Sequence, residues 1–280
     1  MSSYENYRKT SSFFDKTRSA LGLDIIIKEL KRSHKPLNQQ VVVDAGCGTG
    51  LYSEALINEV KWIEALDMSS EMLDKARNRF KTKNKINIRF HHTTIDSLKF
   101  DNQFADAIIV NQVLHHLPDN AEMSWENHSK VFREFFRILK PEACLIINSC
   151  SPEQLNNGFW FYHLIPNALN QILEKTIDLK TLSKILKNIG FVNLLQEVPL
   201  NLTLQGKEFF NGNGPLDPEW RSGDSIWSLV SEKNLFDVIN KISILQNEGK
   251  IKEFILEKDK VRLSCGQVTF TIARKQKFLQ

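Results

Sequence analysis

The segment VVVDAGCGTG, residues 41–50, carries the strongest structural information in the chain. Its valines predict a buried parallel strand, because strands covered on both faces are rich in β-branched residues. The glycines that follow allow backbone conformations closed to other residues and let main-chain N–H groups approach a ligand. A helix beginning around Leu51 would direct the positive end of its dipole to the same point. The segment therefore predicts a strand, a ligand-binding turn and a helix.

The spacing of these glycines differs from the spacing typical of dinucleotide-binding sites. Dinucleotide-binding folds place G-x-G-x-x-G after a strand. Here the glycines run G-C-G-T-G directly after Asp44, which weakens an interpretation as an NAD or flavin site. A tight connection between strand and helix that binds no ligand is the remaining alternative.

The motif D-A-G-C-G-T-G resembles the first motif of the class I (Rossmann-like) S-adenosylmethionine-dependent methyltransferases. The resemblance implies S-adenosylmethionine as the cofactor. It also implies that the cofactor lies against the turn formed by Asp44, Gly46, Gly48 and Gly50.

A second strand, from Trp62 to Leu66, is predicted to end at Asp67. A carboxylate about 20 residues beyond the glycines, at the carboxyl end of a strand, can accept both hydrogen bonds of a ribose diol. The segment DMSSEML, residues 67–73, resembles the second motif of the family, so Asp67 and Met68 are expected to contact the cofactor. An isolated helix cap or a solvated turn is the alternative.

Two further loops follow predicted strands. A strand from Ile86 to Phe90 leads into HHTTID, residues 91–96, which resembles the adenine-binding segment of the family and implies contacts from Thr94, Ile95 and Asp96. Many members of the family have Asp where this chain has Thr94, so the usual contact to the adenine amino group is expected from Thr94, from the main chain at Ile95 or from Asp96. An ordinary polar loop is the alternative.

The strand Asp106–Val110 leads into NQVLHHLP, residues 111–118. In related enzymes this segment lies between cofactor and substrate, which implies Asn111 and Gln112 at the methionine end of the cofactor. Adjacent residues on a helix point about 100° apart, so at most one of His115 and His116 is expected to face the site. We predict that His115 faces it, as a general base if the acceptor carries a proton. Packing is an equal alternative for either histidine.

The remaining elements complete the expected fold. FFRILKP, residues 135–141, resembles the family pattern of a helix ended by proline. The resemblance implies an α/β, doubly wound, mostly parallel seven-stranded sheet, with an antiparallel last strand near the edge and helical cap insertions. The other predicted elements are a helix from Val131, strands at Ala143–Asn148, Phe191–Val198 and Gln267–Ala273, and a helix at Thr181–Ile189.

We expect a single methyltransferase domain over residues 1–280, with an N-terminal lid at 1–30 and substrate caps at 151–180 and 200–264. Arg18 follows aromatic residues in a way that resembles an entry segment of related enzymes, where the arginine pairs with the cofactor carboxylate. A solvated helix start is the alternative. The candidate substrate-binding residues are Phe14, His115, Trp160, His163, Trp220 and Arg221, with core packing the alternative for the tryptophans.

The composition of the chain limits which binding partners and metal sites are expected. The chain has 280 residues, 37 basic and 33 acidic, and a net charge of +4, so it carries no basic footprint of nucleic-acid binding. No bilayer-spanning segment or signal peptide is evident, which favours a cytoplasmic protein. The four cysteines and seven histidines lack metal-ligand spacing, so neither disulfides nor a metal site are expected.

These observations together predict S-adenosylmethionine-dependent methyl transfer to a small-molecule acceptor. Two other classes stay open. A transfer-RNA or protein methyltransferase would share the cofactor motifs, and a non-catalytic regulatory module that binds the same cofactor could share the fold.

Overall fold

The computed structural model describes residues 15, 18–33, 35–81 and 87–277. The described residues form one seven-stranded sheet in the order β3-β2-β1-β4-β5-β7-β6. The strands are β1 (Val41–Ala45), β2 (Trp62–Asp67), β3 (Ile88–His92), β4 (Ala105–Asn111), β5 (Leu139–Ser149), β6 (Phe191–Glu197) and β7 (Thr269–Lys275).

The strand directions confirm the expected topology. Strands β1 to β5 pair in parallel, whereas β7 is antiparallel to both of its neighbours, β5 and β6. The last strand of the chain is thus inserted one place in from the sheet edge, as predicted. β1 lies between β2 and β4, where the strand order reverses. In open α/β sheets the crevice at such a reversal, beside the carboxyl ends of the strands, is where ligands bind.

Helices cover both faces of the sheet. They are α1 (Leu23–Lys31), α2 (Leu51–Leu56), α3 (Ser70–Phe80), α4 (Glu126–Ile138), α5 (Pro152–Asn157), α6 (Pro166–Leu173), α7 (Leu179–Ile189), α8 (Pro218–Ser222), α9 (Glu232–Asn247) and α10 (Ile251–Cys265). Successive strand residues point to opposite faces, so Val42 packs in one core cluster and Val43 in the other. α1 to α3 cover the first face, and α4 and α7 cover the second.

The two insertions are helical, as expected. Residues 151–180 contain α5 and α6, and residues 200–264 contain α8, α9 and most of α10 together with short 3₁₀ turns. α5 begins with a capping box, in which the Ser151 hydroxyl accepts from Gln154 N and the Gln154 side chain accepts from Ser151 N. By contrast, most of α1 belongs to the N-terminal segment predicted as a lid, and its Ile25 and Ile26 are buried in the first core cluster.

The boundary near Pro141 differs from the prediction. α4 ends at Ile138, and β5 begins at Leu139, so Pro141 lies inside the strand instead of terminating the helix. The pairing of β4 with β5 is irregular between Ala105 and Ala107, beside this start of β5. Proline is tolerated at such irregularities because no ladder hydrogen bond needs its missing N–H.

Within the described ranges, no helix has the length and apolar character needed to cross a membrane.

Candidate active site

The turn after β1 is shaped by the glycines that the sequence singled out. The amide groups of Gly46 and Cys47 both donate to the Leu66 carbonyl, at 2.8 Å, which ties the turn to the end of β2. Gly46 has φ +80°, and a Cβ there would lie 2.4 Å from Val113 Cγ2. Gly48 has φ +54° and open space where its Cβ would be. The first glycine therefore permits close packing, and the second leaves room beside the backbone.

Asp44 is buried at the end of β1 and lines the central cavity. Its Oδ2 accepts a 2.6 Å hydrogen bond from the Ser53 hydroxyl of α2. Burial raises the pKa of Asp44 to about 7, and the nearby charge of Asp67 adds to this effect. The carboxylate therefore fixes the first turn of α2 against the strand end.

Asp67 joins the two cofactor motifs directly. Its Oδ2 accepts from Gly48 N and its Oδ1 accepts from Ser69 N, each at 2.8 Å. Burial raises the pKa of Asp67, although these main-chain donors oppose the effect. Ser69 caps α3, with its hydroxyl accepting from Met72 N. Since each carboxylate oxygen has about two lone-pair sites, Asp67 retains the capacity to accept from a ribose diol.

The loop after β3 also lines the cavity. Thr94, Ile95 and Asp96 all line it, as does Met68. The Asp96 carboxylate is also paired with Lys130 Nζ, at 2.7 Å, and this hydrogen bond holds the pKa of Asp96 below its usual range. The structure thus brings together the predicted residues of the second and third motifs.

Asn111 and Gln112 lie where β4 ends, and both line the cavity. Within the described part of the chain, Asn111 Nδ2 is buried without a hydrogen-bond partner. Gln112 has φ +54°, and its main-chain N–H and side-chain Nε2 bond to Asn148, at 2.8 Å to the carbonyl and 3.0 Å to Oδ1. A non-glycine residue in this conformation costs of order 1–3 kcal/mol, and such strain clusters at functional sites.

Both histidines after β4 line the cavity, so the expectation that at most one faces it is wrong. Leu114–His116 forms a 3₁₀ turn rather than the start of an α-helix, and the two imidazole centroids lie 4.1 Å apart. Burial lowers the pKa of His115 to about 4 and that of His116 well below its usual value. Both rings are therefore uncharged at neutral pH.

Arg18 lines the cavity from the N-terminal segment. Its Nε donates to the Gly223 carbonyl at 3.0 Å, and its Nη2 lies 3.6 Å from Asp224 Oδ2. Asp224 Oδ2 also accepts from the Tyr162 hydroxyl at 3.1 Å and from Gln205 Nε2 at 3.2 Å. Tyr162 and Asp224 were not predicted as cavity residues, because they lie 62 positions apart and neither belongs to a motif.

Four of the predicted substrate-binding residues do not line the cavity. Trp160 is fully buried, and its indole N–H donates to the Phe209 carbonyl, so it belongs to the core. Trp220 is also buried, and it donates to the Glu208 carbonyl. Arg221 donates to the Pro215 carbonyl at 2.6 Å, and His163 is exposed on the cap. Phe14 lies outside the described residues.

One cavity of about 330 Å³ joins all the cofactor motifs to the cap insertions, a volume within the usual range for small-ligand sites. We call its two parts the cofactor region and the acceptor region. The cofactor region is lined by Asp44, Gly46, Gly48, Asp67, Met68, Thr94, Ile95, Asp96, Asn111 and Gln112. The acceptor region is lined by Arg18, His115, His116, Leu155, Tyr162, Ile172, Ile177, Leu204, Asp224 and Ile226.

Gly50 does not line the cavity; it precedes α2, and a Cβ there would meet Phe80 at 3.2 Å. The described residues contain no group of three or more His, Cys, Asp or Glu side chains placed to hold a metal ion.

Comparison with known proteins agrees with this arrangement. Residues 43–147 match the family model of the methyltransferase domain. This part of the chain is therefore similar to a methyltransferase domain, and the sheet has the Rossmann-like methyltransferase fold. The matched residues run from β1 into β5, and they therefore include every predicted cofactor-binding residue except Arg18.

An uncharacterized methyltransferase of Mycobacterium tuberculosis is 28% identical over 125 residues, which are 45% of this chain. The alignment spans 58% of that relative's length.

Two solved structures share the fold. A putative methyltransferase from an antibiotic biosynthesis pathway of Anabaena variabilis has a TM-score of 0.72 at 17% identity, covering 92% of this chain and 98% of its own. Phosphoethanolamine N-methyltransferase 2 of Haemonchus contortus, in complex with S-adenosyl-L-methionine, has a TM-score of 0.59 at 16% identity, covering 97% of this chain and 57% of its own.

Proposed function

We propose that this protein is an S-adenosylmethionine-dependent methyltransferase that acts on a small-molecule acceptor. The observation that carries the proposal is the meeting of the glycine turn, the Asp67 carboxylate and Asn111 in one cavity at the reversal of strand order. The H. contortus enzyme, whose structure contains S-adenosyl-L-methionine, has the same fold.

The residues of the cofactor region fit this cofactor. Asn111 Nδ2 is a buried donor that lacks an acceptor among the described residues, and a polar ligand would supply one. Gly48 leaves open space beside the backbone, so a ligand can lie close to the turn. Asp67 is held by two main-chain donors in a fixed orientation, which suits recognition of a diol. When bound, the cofactor supplies a sulfonium methyl group, whose bond to sulfur breaks as the acceptor lone pair forms the new bond.

The chain's contribution to such a displacement is alignment and exclusion of water. Gln112 is locked to Asn148 by two hydrogen bonds, and Asn148 Nδ2 in turn donates to the Tyr52 hydroxyl at 3.1 Å. This network fixes Gln112, which lines the cofactor region. His115, uncharged at neutral pH, can accept a hydrogen bond from the group that is methylated and direct its lone pair.

The walls of the acceptor region support a small acceptor. Tyr162 and Ile226 line it from the two cap insertions, with 4% and 1% of their surfaces exposed. Leu155 and Leu204 add buried apolar surface from the same insertions. Because both insertions contribute buried side chains to this region, an acceptor small enough to fit within the cavity is favoured.

Calorimetric titration with S-adenosylhomocysteine tests the cofactor assignment. Asp67→Ala removes charge-assisted hydrogen bonds, so the affinity should fall by about 1.5–3 kcal/mol, or roughly 10- to 150-fold. Asp74→Ala is the matched control, because Asp74 is an exposed carboxylate on α3 that pairs only with Arg77 among the described residues. Unchanged affinity in a folded Asp67→Ala variant would contradict the assignment.

Transfer of a labelled methyl group tests the acceptor class. The protein is incubated with labelled S-adenosylmethionine and three separate pools: metabolites below about 1 kDa, transfer RNA, and protein. We expect label in the metabolite pool alone. Label in RNA or protein would indicate the macromolecular class, and tight cofactor binding without any transfer would indicate a regulatory module.

A further inference from the structure

A buried ion pair forms one wall of the acceptor region. Arg18 and Asp224 have only 12% and 8% of their side chains exposed, and they approach to 3.6 Å. Arg18 comes from the N-terminal segment and Asp224 from the second insertion, so the pair closes the cavity from two distant parts of the chain. Because burial of a lone charge is costly, the two side chains act as a unit of zero net charge.

The two carboxylate oxygens of Asp224 accept different numbers of hydrogen bonds. Oδ2 accepts from the Tyr162 hydroxyl and from Gln205 Nε2, and it faces Arg18 Nη2. In the described part of the chain, Oδ1 accepts a single hydrogen bond, from Ile226 N at 3.3 Å. A carboxylate oxygen offers about two lone-pair sites, so Oδ1 has capacity for one further donor.

The rest of the acceptor region adds no fixed charge among its described lining residues. Its surface comes mainly from aliphatic side chains of Leu155, Ile172 and Leu204, while the two histidines are held uncharged by burial. A carboxylate, phosphate or ammonium group that enters this region would lose its hydration. It would gain no opposite charge in return, because Arg18 and Asp224 already neutralise each other. An uncharged ligand would lose less and would bury apolar surface against these side chains.

We propose that the acceptor is an uncharged, largely apolar molecule with a hydroxyl group that donates a hydrogen bond to Asp224. This inference rests on the proposed function, because it identifies the acceptor region as the place where the methyl acceptor binds. Arg18 balances the charge of Asp224, and Tyr162 orients the carboxylate.

Four probes that share a benzene ring test whether the acceptor region prefers an uncharged ligand. Dissociation constants are measured by ligand-observed NMR for 4-ethylphenol, 4-hydroxyphenylacetate and tyramine, with ethylbenzene as the analogue without a hydroxyl group. The protein is first saturated with S-adenosylhomocysteine. We expect 4-ethylphenol to bind at least tenfold more tightly than either charged probe, and ethylbenzene to bind more weakly than 4-ethylphenol. Preference for a charged probe, or no binding of 4-ethylphenol or its longer 4-alkyl homologues, would overturn the proposal.

Two variants test the ion pair itself. Asp224→Asn keeps the side-chain shape but leaves the Arg18 charge uncompensated, so the preference should shift toward 4-hydroxyphenylacetate. Arg18→Gln should shift it toward tyramine. Asp259→Asn is the matched control, since Asp259 is a buried carboxylate paired with Arg262 on α10 and outside the cavity. Ratios that stay at the wild-type value in both cavity variants would refute the proposal.

A separate measurement distinguishes the two proposals. If S-adenosylhomocysteine does not bind, the proposed function fails, and the same probes are compared on the ligand-free protein. A preference for 4-ethylphenol that shifts with Asp224→Asn would then still support an uncharged ligand. If S-adenosylhomocysteine binds and the charge preference is absent, only the inference about the acceptor fails.

Discussion

The two regions of the cavity hold their polar groups in different ways. In the cofactor region, Asp67 is oriented by main-chain donors of Gly48 and Ser69, which lie within 19 positions of it. In the acceptor region, Asp224 is oriented largely by side chains, and Arg18 and Tyr162 lie 206 and 62 positions away. The first arrangement depends on local backbone geometry, whereas the second depends on how remote segments pack. Cofactor binding and acceptor binding should therefore respond differently to mutation.

The largest expected effect separates packing in the caps from ligand binding. Trp160→Ala removes a fully buried side chain, so the free energy of unfolding should fall by about 3–5 kcal/mol. The affinity of the remaining folded protein for S-adenosylhomocysteine should stay within about twofold of wild type, because Trp160 does not line the cavity. Denaturant titration and calorimetry measure the two quantities. A large loss of affinity for S-adenosylhomocysteine with an unchanged free energy of unfolding would show that Trp160 contributes to ligand binding.

A pair of glycine variants tests the cofactor region. Gly46→Ala places a Cβ 2.4 Å from Val113 Cγ2 in a backbone conformation unfavourable to alanine, so the turn must move. We expect the free energy of unfolding to fall by about 2–3 kcal/mol, of the order of the cost of overpacking, and the displaced turn to bind S-adenosylhomocysteine more weakly. Gly48→Ala has a similar φ but meets no atom within 4 Å, so it should have the smaller effect on folding.

The second-site variant Val113→Ala should partly restore binding in Gly46→Ala, because it removes the clashing methyl groups. Equal losses of stability in the two glycine variants, with no rescue, would show that φ rather than packing controls this turn.

The smallest expected effect concerns pH. The pKa of His115 is about 4 in the folded protein and near 6.5 when unfolded, so the unfolded state takes up the proton first as pH falls. Stability is therefore retained above pH 6.5 and lost as pH falls toward 4. At pH 5 the loss from this group should be about 2 kcal/mol by proton linkage.

Denaturant titrations at pH 7 and pH 5 measure this loss, and His115→Gln should reduce the difference between the two values. If the variant and wild type have the same pH dependence, His115 titrates normally and is not held uncharged by the cavity.

The sequence predicted the elements whose roles depend on local geometry. The β1 turn, Asp67 and the residues after β4 were all assigned to one site, and the structure brings them together because parallel strands end at the same sheet edge. The cap could not be predicted in the same way. Trp160 and Trp220 were predicted to contact the substrate, but their indole groups donate to carbonyls of residues 49 and 12 positions away. No local sequence pattern predicts such distant contacts.

The place of β7 beside β6 allows the segment between these two strands to vary in length. The segment between β6 and β7 leaves and re-enters the sheet on neighbouring strands, which lie about 5 Å apart. Its two ends are thus fixed by sheet pairing, whatever lies between them. Doubling the length of a flexible loop adds only about 0.6 kcal/mol of closure entropy. Insertions there are inexpensive in folding terms, so the acceptor wall can lengthen or be replaced while the cofactor turn keeps its shape.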